Sequence, residues 1–160
     1  MLLRRSIVGV LALAMAAPAS AHGPTPSGGR PGDPAKVTRT IEVIATDNAF
    51  SLKALDVRDG ETVRFVVRND GTDPHELTIG TVPEHAEHRR QMKAMMEMMK
   101  KGGHAGHSMA DMAHEGGVWV DPGKIASFVW TFARTSDLEF ACNIPGHYEE
   151  GMKGTIRFVN

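Results

Sequence analysis

The sequence contains a single cysteine, Cys142, among its 160 residues. A lone thiol has no partner for an internal disulfide, so its presence needs another explanation. Positive charge is not in excess either, because 18 Lys and Arg stand against 19 Asp and Glu. Nucleic-acid binding depends on positive charge, and this balance therefore argues against a nucleic-acid partner.

The chain lacks any apolar run long enough to span a membrane, which takes about 20 residues. Its first 21 residues begin with an arginine pair, continue with an uncharged run over 7–17, and end in Ala19-Ser20-Ala21. This pattern predicts a signal peptide over 1–21 and a periplasmic mature protein. The arginine pair leaves both the general and the twin-arginine export routes open.

The mature chain divides into an arm and one domain. Residues 22–36 are rich in Pro and Gly, which predicts a flexible arm. Residues 37–160 show recurring period-two patterns separated by turn residues, which predicts seven or eight short strands in an all-β sandwich or Greek-key barrel. The predicted inward residues are Ile41, Val43, Ala45, Val63, Phe65, Val67, Phe128, Trp130, Phe132, Leu138 and Phe140.

Cys142 shares its predicted strand face with Phe140 and ends that strand. His147 and Met152 follow on one loop before the next strand, and His75 begins the strand "HELTIG". Thiolate, thioether and two imidazoles form a soft, mixed donor set that suits copper as both Cu(I) and Cu(II). The alternative is that the Cys is a small core residue, the His lies on the surface and the Met only packs in the core.

The stretches "FACNIPGHYEEGMKGTI" and "NDGTDPHEL" resemble the cupredoxin family, most of all the periplasmic cupredoxins of copper tolerance. The resemblance covers roughly residues 37–80 and 118–160. It implies a Greek-key sandwich with copper at one end, His75, Cys142 and His147 as equatorial ligands, and Met152 as axial ligand. One departure is Glu76, because electron-transfer members often carry Asn or Ser there to brace the Cys loop.

Other copper chemistry is excluded by particular residues. A multicopper oxidase passes electrons through histidines beside the Cys, but Ala141 and Asn143 flank it here. A binuclear purple site needs two cysteines, and a catalytic zinc site favours more histidines. The sequence therefore predicts a copper protein that is not a conventional enzyme.

Residues 81–117 form an insertion of unusual composition, with seven of the ten Met and five of the eight His. Thr81 and Glu84 have capping-box spacing, and Gly102-Gly103 is a stop signal, which predicts a helix from about 82 to 101. One stripe of this helix carries His85, His88, Met92, Met95, Met96 and Met99. The stripe predicts additional copper ligands, and packing on the sandwich or a partner surface is the alternative.

The second half of the insertion has no helical period and predicts a metal-binding tract. Its candidate ligands are His104, His107, Met109, Met112 and His114. A weaker candidate is His22, whose ring and α-amine would chelate Cu(II) if cleavage follows Ala21.

Two functions follow from these predictions. The first is a periplasmic protein of copper tolerance that binds or buffers copper ions or oxidises Cu(I). The second is a small electron carrier that docks with a periplasmic redox protein. The His/Met tract favours the first, because a carrier gains nothing evident from extra sites. A third possibility is that the insertion binds a copper pump or chaperone.

Overall fold

The computed structural model describes residues 27–102, Ala110 and residues 116–160. Within these residues the chain forms ten strands, one α-helix and a short 3₁₀ helix, Pro34–Lys36. The strands are β1 Gly29–Pro31, β2 Arg39–Thr46, β3 Ala49–Phe50, β4 Ala54–Val57, β5 Thr62–Asn69, β6 His75–Thr81, β7 Gly117–Val120, β8 Ile125–Phe132, β9 Leu138–Ala141 and β10 Lys153–Phe158. The helix α1 is Val82–Lys100.

The strands pack as two five-stranded sheets. One has the order β1-β8-β5-β2-β3 and the other β4-β10-β9-β6-β7. Two pairs, β2 with β5 and β4 with β10, are parallel, and the other neighbours are antiparallel. The predicted all-β sandwich is confirmed.

The core lies between the sheets, and most of the predicted inward residues fill it. Trp130, Phe65, Phe132 and Phe140 are its largest fully buried side chains. Cys142 and Met152 belong to the same buried cluster. Burial of this apolar surface stabilises the sandwich and fixes the strands that carry the candidate ligands.

Strand β6 departs from the predicted alternation, because every residue from His75 to Gly80 is buried. Leu77 and Ile79 face the core. Helix α1 covers the opposite face of the strand, where Glu76 and Thr78 would otherwise meet water. Period two identifies the inner face, but only tertiary packing decides whether the outer face is covered.

Helix α1 confirms the predicted helical segment of the insertion. Glu84 accepts hydrogen bonds from Thr81 N at 2.7 Å and Thr81 Oγ1 at 2.8 Å, which caps the first turn. Gly102 follows the last turn with a φ of +75°, the left-handed conformation that ends many helices.

The predicted arm requires a correction over its described part. β1 pairs with β8, and Ser27 N and Oγ both donate to Glu84 Oε1 at 2.8 Å. Gly29 has a φ of +148°, and a Cβ there would lie 2.2 Å from Thr131 O. Glycine content signalled flexibility in the sequence, but here it permits close approach to the sheet.

The predicted signal peptide, 1–21, and His22 lie outside the described residues. In the part of the chain that is described, every helix falls short of the length and apolarity that crossing a bilayer demands.

Candidate metal centre

Three candidate ligands converge at one end of the sandwich. His75 begins β6, Cys142 follows β9, and His147 lies in the loop between β9 and β10. The two Nδ1 atoms of His75 and His147 are 3.3 Å apart, and Cys142 Sγ is 3.4 Å from His147 Nδ1. The three groups offer ligand atoms that all lie within 4.8 Å of one another.

The loop that carries two of these residues is closed by its own backbone hydrogen bonds. Cys142 N donates to Met152 O at 3.0 Å, and Met152 N donates to His147 O at 2.9 Å. Gly146 and Gly151 have φ values of +101° and +92°, which lets the loop turn twice within a few residues. Met152, the candidate fourth ligand, is fully buried where this loop ends.

His75 is fully buried, and the carboxylate of Asp47 lies behind its ring. Asp47 Oδ1 lies 3.6 Å from His75 Nε2, on the side of the ring away from His147. Thr72 N, Thr72 Oγ1 and Asp73 N donate to this carboxylate at 2.8, 3.0 and 3.2 Å and hold it in place. A carboxylate behind a ligating imidazole favours the tautomer with a proton on Nε2 and a free lone pair on Nδ1.

Gly71 permits this approach of Asp47. A Cβ at Gly71 would lie 2.3 Å from Asp47 Oδ1, so a larger residue would displace the carboxylate. Hydrogen bonds from the backbone of Asp73 and Thr72 lower the pKa of Asp47 and keep it anionic.

Burial shifts the pKa of two of the three candidate ligands, His75 and Cys142. Burial, together with the nearby ring of His147, lowers the pKa of His75 and favours the neutral imidazole. Burial and the charge of Glu76 raise the pKa of the Cys142 thiol to about 12. The metal-free thiol is therefore protonated, and a metal ion that binds it must displace that proton.

Glu76 braces the cysteine loop, the role expected in the sequence analysis for an Asn or Ser at this position. Glu76 Oε1 accepts from Asn143 N at 2.9 Å and from Asn143 Nδ2 at 3.0 Å. His88 Nε2 lies 3.1 Å from the same oxygen. The carboxylate is fully buried and compensated by three N–H donors, which resolves the departure noted in the sequence.

The helical stripe of candidate copper ligands divides in two. On the stripe of α1, His85, His88 and Met92 are buried, Met95 and Met96 are half-buried, and Met99 is exposed. His85 Nδ1 lies 3.2 Å from Asn143 Oδ1, and its Nε2 lies 3.3 Å from Glu139 O. The side chains in the first turns of α1 therefore pack on the sandwich, which was the alternative to copper binding. His104, His107, Met109, Met112 and His114 lie outside the described residues.

Asp47 and Asn143 are site residues that the sequence did not identify. Asn143 directly follows the candidate ligand Cys142, so adjacency was an available signal. The sequence gives no signal for Asp47, because its position depends on two loops that meet only in the folded chain. An Asp after a strand is usually just a turn residue.

The copper-free protein is expected to lose stability as the pH falls below about 6.5. Burial lowers the pKa of both His75 and His85 from 6.5, so the unfolded chain binds protons that the folded chain does not. Their contribution is fully present above pH 6.5 and is lost as the pH falls through the lowered folded-state values. Urea unfolding at about pH 7.5 and about pH 5.5 measures the difference. His85→Gln should reduce the loss, and an unchanged pH dependence in that variant would contradict the assignment.

The donor set fits copper. Two imidazole nitrogens and one thiol sulfur face a common point, and a thioether lies buried on the same loop. Cys and Met are soft ligands and imidazole suits both copper oxidation states, so this combination favours copper over hard cations.

The comparisons with known proteins agree with this chemistry. A family model described as copper binding proteins of the plastocyanin/azurin family matches residues 37–159. The copper-resistant cuproprotein CopI of Pseudomonas aeruginosa is 42% identical over 167 residues, which cover 94% of this chain and 91% of that protein. The CopI of Rubrivivax gelatinosus is 40% identical and covers 86% of this chain and 77% of its own length.

Solved structures match the fold at lower identity. Auracyanin B superimposes with a TM-score of 0.63 at 19% identity, covering 88% of this chain and 100% of its own. Reduced auracyanin from Roseiflexus castenholzii gives 0.60 at 21% identity, covering 78% and 99%. The match over residues 37–159 and the identity to the two CopI proteins show that this chain belongs to the plastocyanin/azurin family of copper-binding proteins.

Proposed function

We propose that this protein is a periplasmic type 1 copper protein of copper tolerance. His75, Cys142 and His147 are the equatorial ligands in this proposal, and Met152 is the axial ligand. The observation that carries it is the convergence of two imidazoles and a thiol within 4.8 Å. Relatives named copper-resistant cuproproteins, matched over 94% and 86% of this chain, support the role in tolerance. The signal-peptide pattern over 1–21 supports the periplasm.

The protein supplies a pre-formed, mostly buried site. Copper bound there would provide a one-electron Cu(I)/Cu(II) couple. The Asp47 carboxylate lies behind His75, and the hydrogen bond between Asn143 and Glu76 fixes the start of the cysteine loop. The rigid sandwich would limit ligand movement between oxidation states. The protein would also contribute to tolerance if it oxidised Cu(I) with oxygen as the electron acceptor. Oxygen-dependent loss of Cu(I) from solution in the presence of the protein would identify this activity.

The exposed half of the Met stripe adds a second component to the proposal. Met95, Met96 and Met99 remain partly or fully accessible on α1, and the His/Met tract follows the helix in the sequence. Thioethers bind Cu(I) without proton competition, so these side chains would hold additional ions.

An insertion variant tests this second component. Met→Leu at 95, 96, 98, 99, 109 and 112, with His→Gln at 104, 107 and 114, keeps helix propensity while removing the donors. Anaerobic Cu(I) titration should give more than one ion per wild-type chain and one per variant chain. The visible absorption of the Cu(II) form should be unchanged. Equal stoichiometry in both proteins would contradict additional binding.

The cellular test compares copper sensitivity in cells that lack the gene. Wild-type protein should restore growth in copper, and Cys142→Ser should fail to restore it. Partial restoration by the insertion variant would support buffering. If the gene proves irrelevant to copper sensitivity, the tolerance role fails.

An electron carrier is the second candidate function. The observation that favours it is His147, a candidate ligand that is only half-buried on a surface loop and would give electrons an exit. In that case loss of the gene would slow a periplasmic redox reaction and leave copper sensitivity unchanged.

A further inference from the structure

One face of α1 points three polar side chains at the copper end of the sandwich. His85, His88 and Arg89 are spaced three and four residues apart, which places them on adjacent turns of one helix face. His85 and His88 are 2% and 3% exposed. Buried polar groups are costly unless they are satisfied, so the contacts they make define the role of this face.

The central contact joins His88 to Glu76, the residue after His75. His88 Nε2 lies 3.1 Å from one oxygen of Glu76 and 3.2 Å from the other. Because the carboxylate only accepts hydrogen bonds, the imidazole must donate through Nε2.

The second contact joins His85 to Asn143, the residue after Cys142. Asn143 Oδ1 lies 3.2 Å from His85 Nδ1, while Asn143 Nδ2 donates to Glu76 and to Thr78 Oγ1 at 2.8 Å. The side-chain amide is thus held from both the helix and the strand, and all four residues are buried.

The third contact joins Arg89 to Tyr148, the residue after His147. The guanidinium carbon of Arg89 lies 3.7 Å from the centroid of the Tyr148 ring, and Arg89 Nε lies 3.3 Å from Glu149 Oε1. Lys153 approaches the same ring at 4.0 Å, and Tyr148 Oη donates to Glu139 at 2.7 Å. The ring is therefore fixed at its cationic contacts and at its hydroxyl.

We propose that α1 is a positioning helix for the metal centre. Each of its three polar contacts reaches the residue that follows one equatorial ligand, so the helix holds all three ligand backbones before metal binds. The identity of those ligands comes from the proposed function. Besides the apolar Met92, this helix buries His85 and His88 with specific partners, which covering β6 alone would not require.

The test measures the copper-free protein, so it does not depend on metal loading. Amide hydrogen exchange reports local opening of the loop through Cys142, Asn143, His147 and Met152, whose N–H groups are hydrogen-bonded. Losing a buried hydrogen bond to a carboxylate typically changes an opening equilibrium by on the order of tenfold or more. We expect at least that acceleration in His88→Leu, relative to amides in β5 and β8. His88→Gln retains an N–H donor and should recover part of the protection.

Arg90→Gln is the matched control, because Arg90 is an exposed neighbour on the same helix that pairs with Glu87. It should leave loop exchange unchanged. If His88→Leu does not fold, Arg89→Gln provides the same test at the Tyr148 contact. Loop exchange equal to that of Arg90→Gln, or no recovery in His88→Gln, would overturn the positioning role. Wild-type protein that binds no copper would instead overturn the proposed function and leave this test intact.

Discussion

Cys142→Ser is expected to abolish the intense visible absorption of the copper-loaded protein. The colour of such a site arises from charge transfer between a thiolate sulfur and Cu(II), and a serine hydroxyl has no equivalent low-energy transition. Copper affinity should also fall by more than ~100-fold, because losing a ligand exceeds the 10–100-fold typical of losing an outer contact. Visible absorption and competition with a chelator measure the two effects.

The structure supplies controls for this prediction. Ser is close to Cys in size, and residue 142 is fully buried, so the fold should change little apart from the cost of the hydroxyl. Met152→Leu, a volume-conserving change, should keep the charge-transfer band while shifting the reduction potential. Retention of the band in Cys142→Ser would show that the sulfur is not a ligand.

Glu76→Ala is expected to destabilise the copper-free protein by about 3–5 kcal/mol. The change removes the carboxylate that accepts from Asn143 N, Asn143 Nδ2 and His88 Nε2. These buried donors then lose that acceptor, which is costly. Urea unfolding measures the loss. Glu149→Ala, at a carboxylate that is 61% exposed, is the matched control and should cost less than about 1 kcal/mol.

Glu76→Gln separates the charge from the shape of this side chain. The carboxylate raises the pKa of Cys142, so its negative charge acts at the sulfur. Removing that charge should favour the reduced centre and raise the reduction potential by on the order of 100 mV, the size expected for one nearby charge at an effective dielectric constant near 20. Voltammetry measures the shift. A potential that stays constant or falls would mean that Glu76 acts only through its hydrogen bonds.

The strands, and the placing of Cys142, His147 and Met152 on one loop, were predictable because both depend on local pattern. Alternation placed Phe65, Trp130 and Phe140 inward, and the spacing of Cys142, His147 and Met152 on one loop indicated a shared site. These features need only the period of a strand and the reach of a short loop.

The surroundings of the site were not predictable from pattern. Covering of the outer face of β6 by α1 depends on packing between elements, so Glu76 had no identifiable partner in the sequence. Asp47 likewise reaches His75 only because two loops meet in the folded chain. Neither contact leaves a periodic or spacing signal.

The pairing of β6 with β7 has a consequence for engineering. Thr78 faces Gly117 across the ladder, and Ile79 N donates to Gly116 O at 2.8 Å, so both ends of the insertion emerge side by side from one hairpin. Swapping in a tract of another length would cost little closure entropy, since that cost grows only with the logarithm of length. Because β6 and β7 are held together by their own ladder, foreign metal-binding or reporter sequences could replace the tract between the end of α1 and Gly116 while the strand register stays intact.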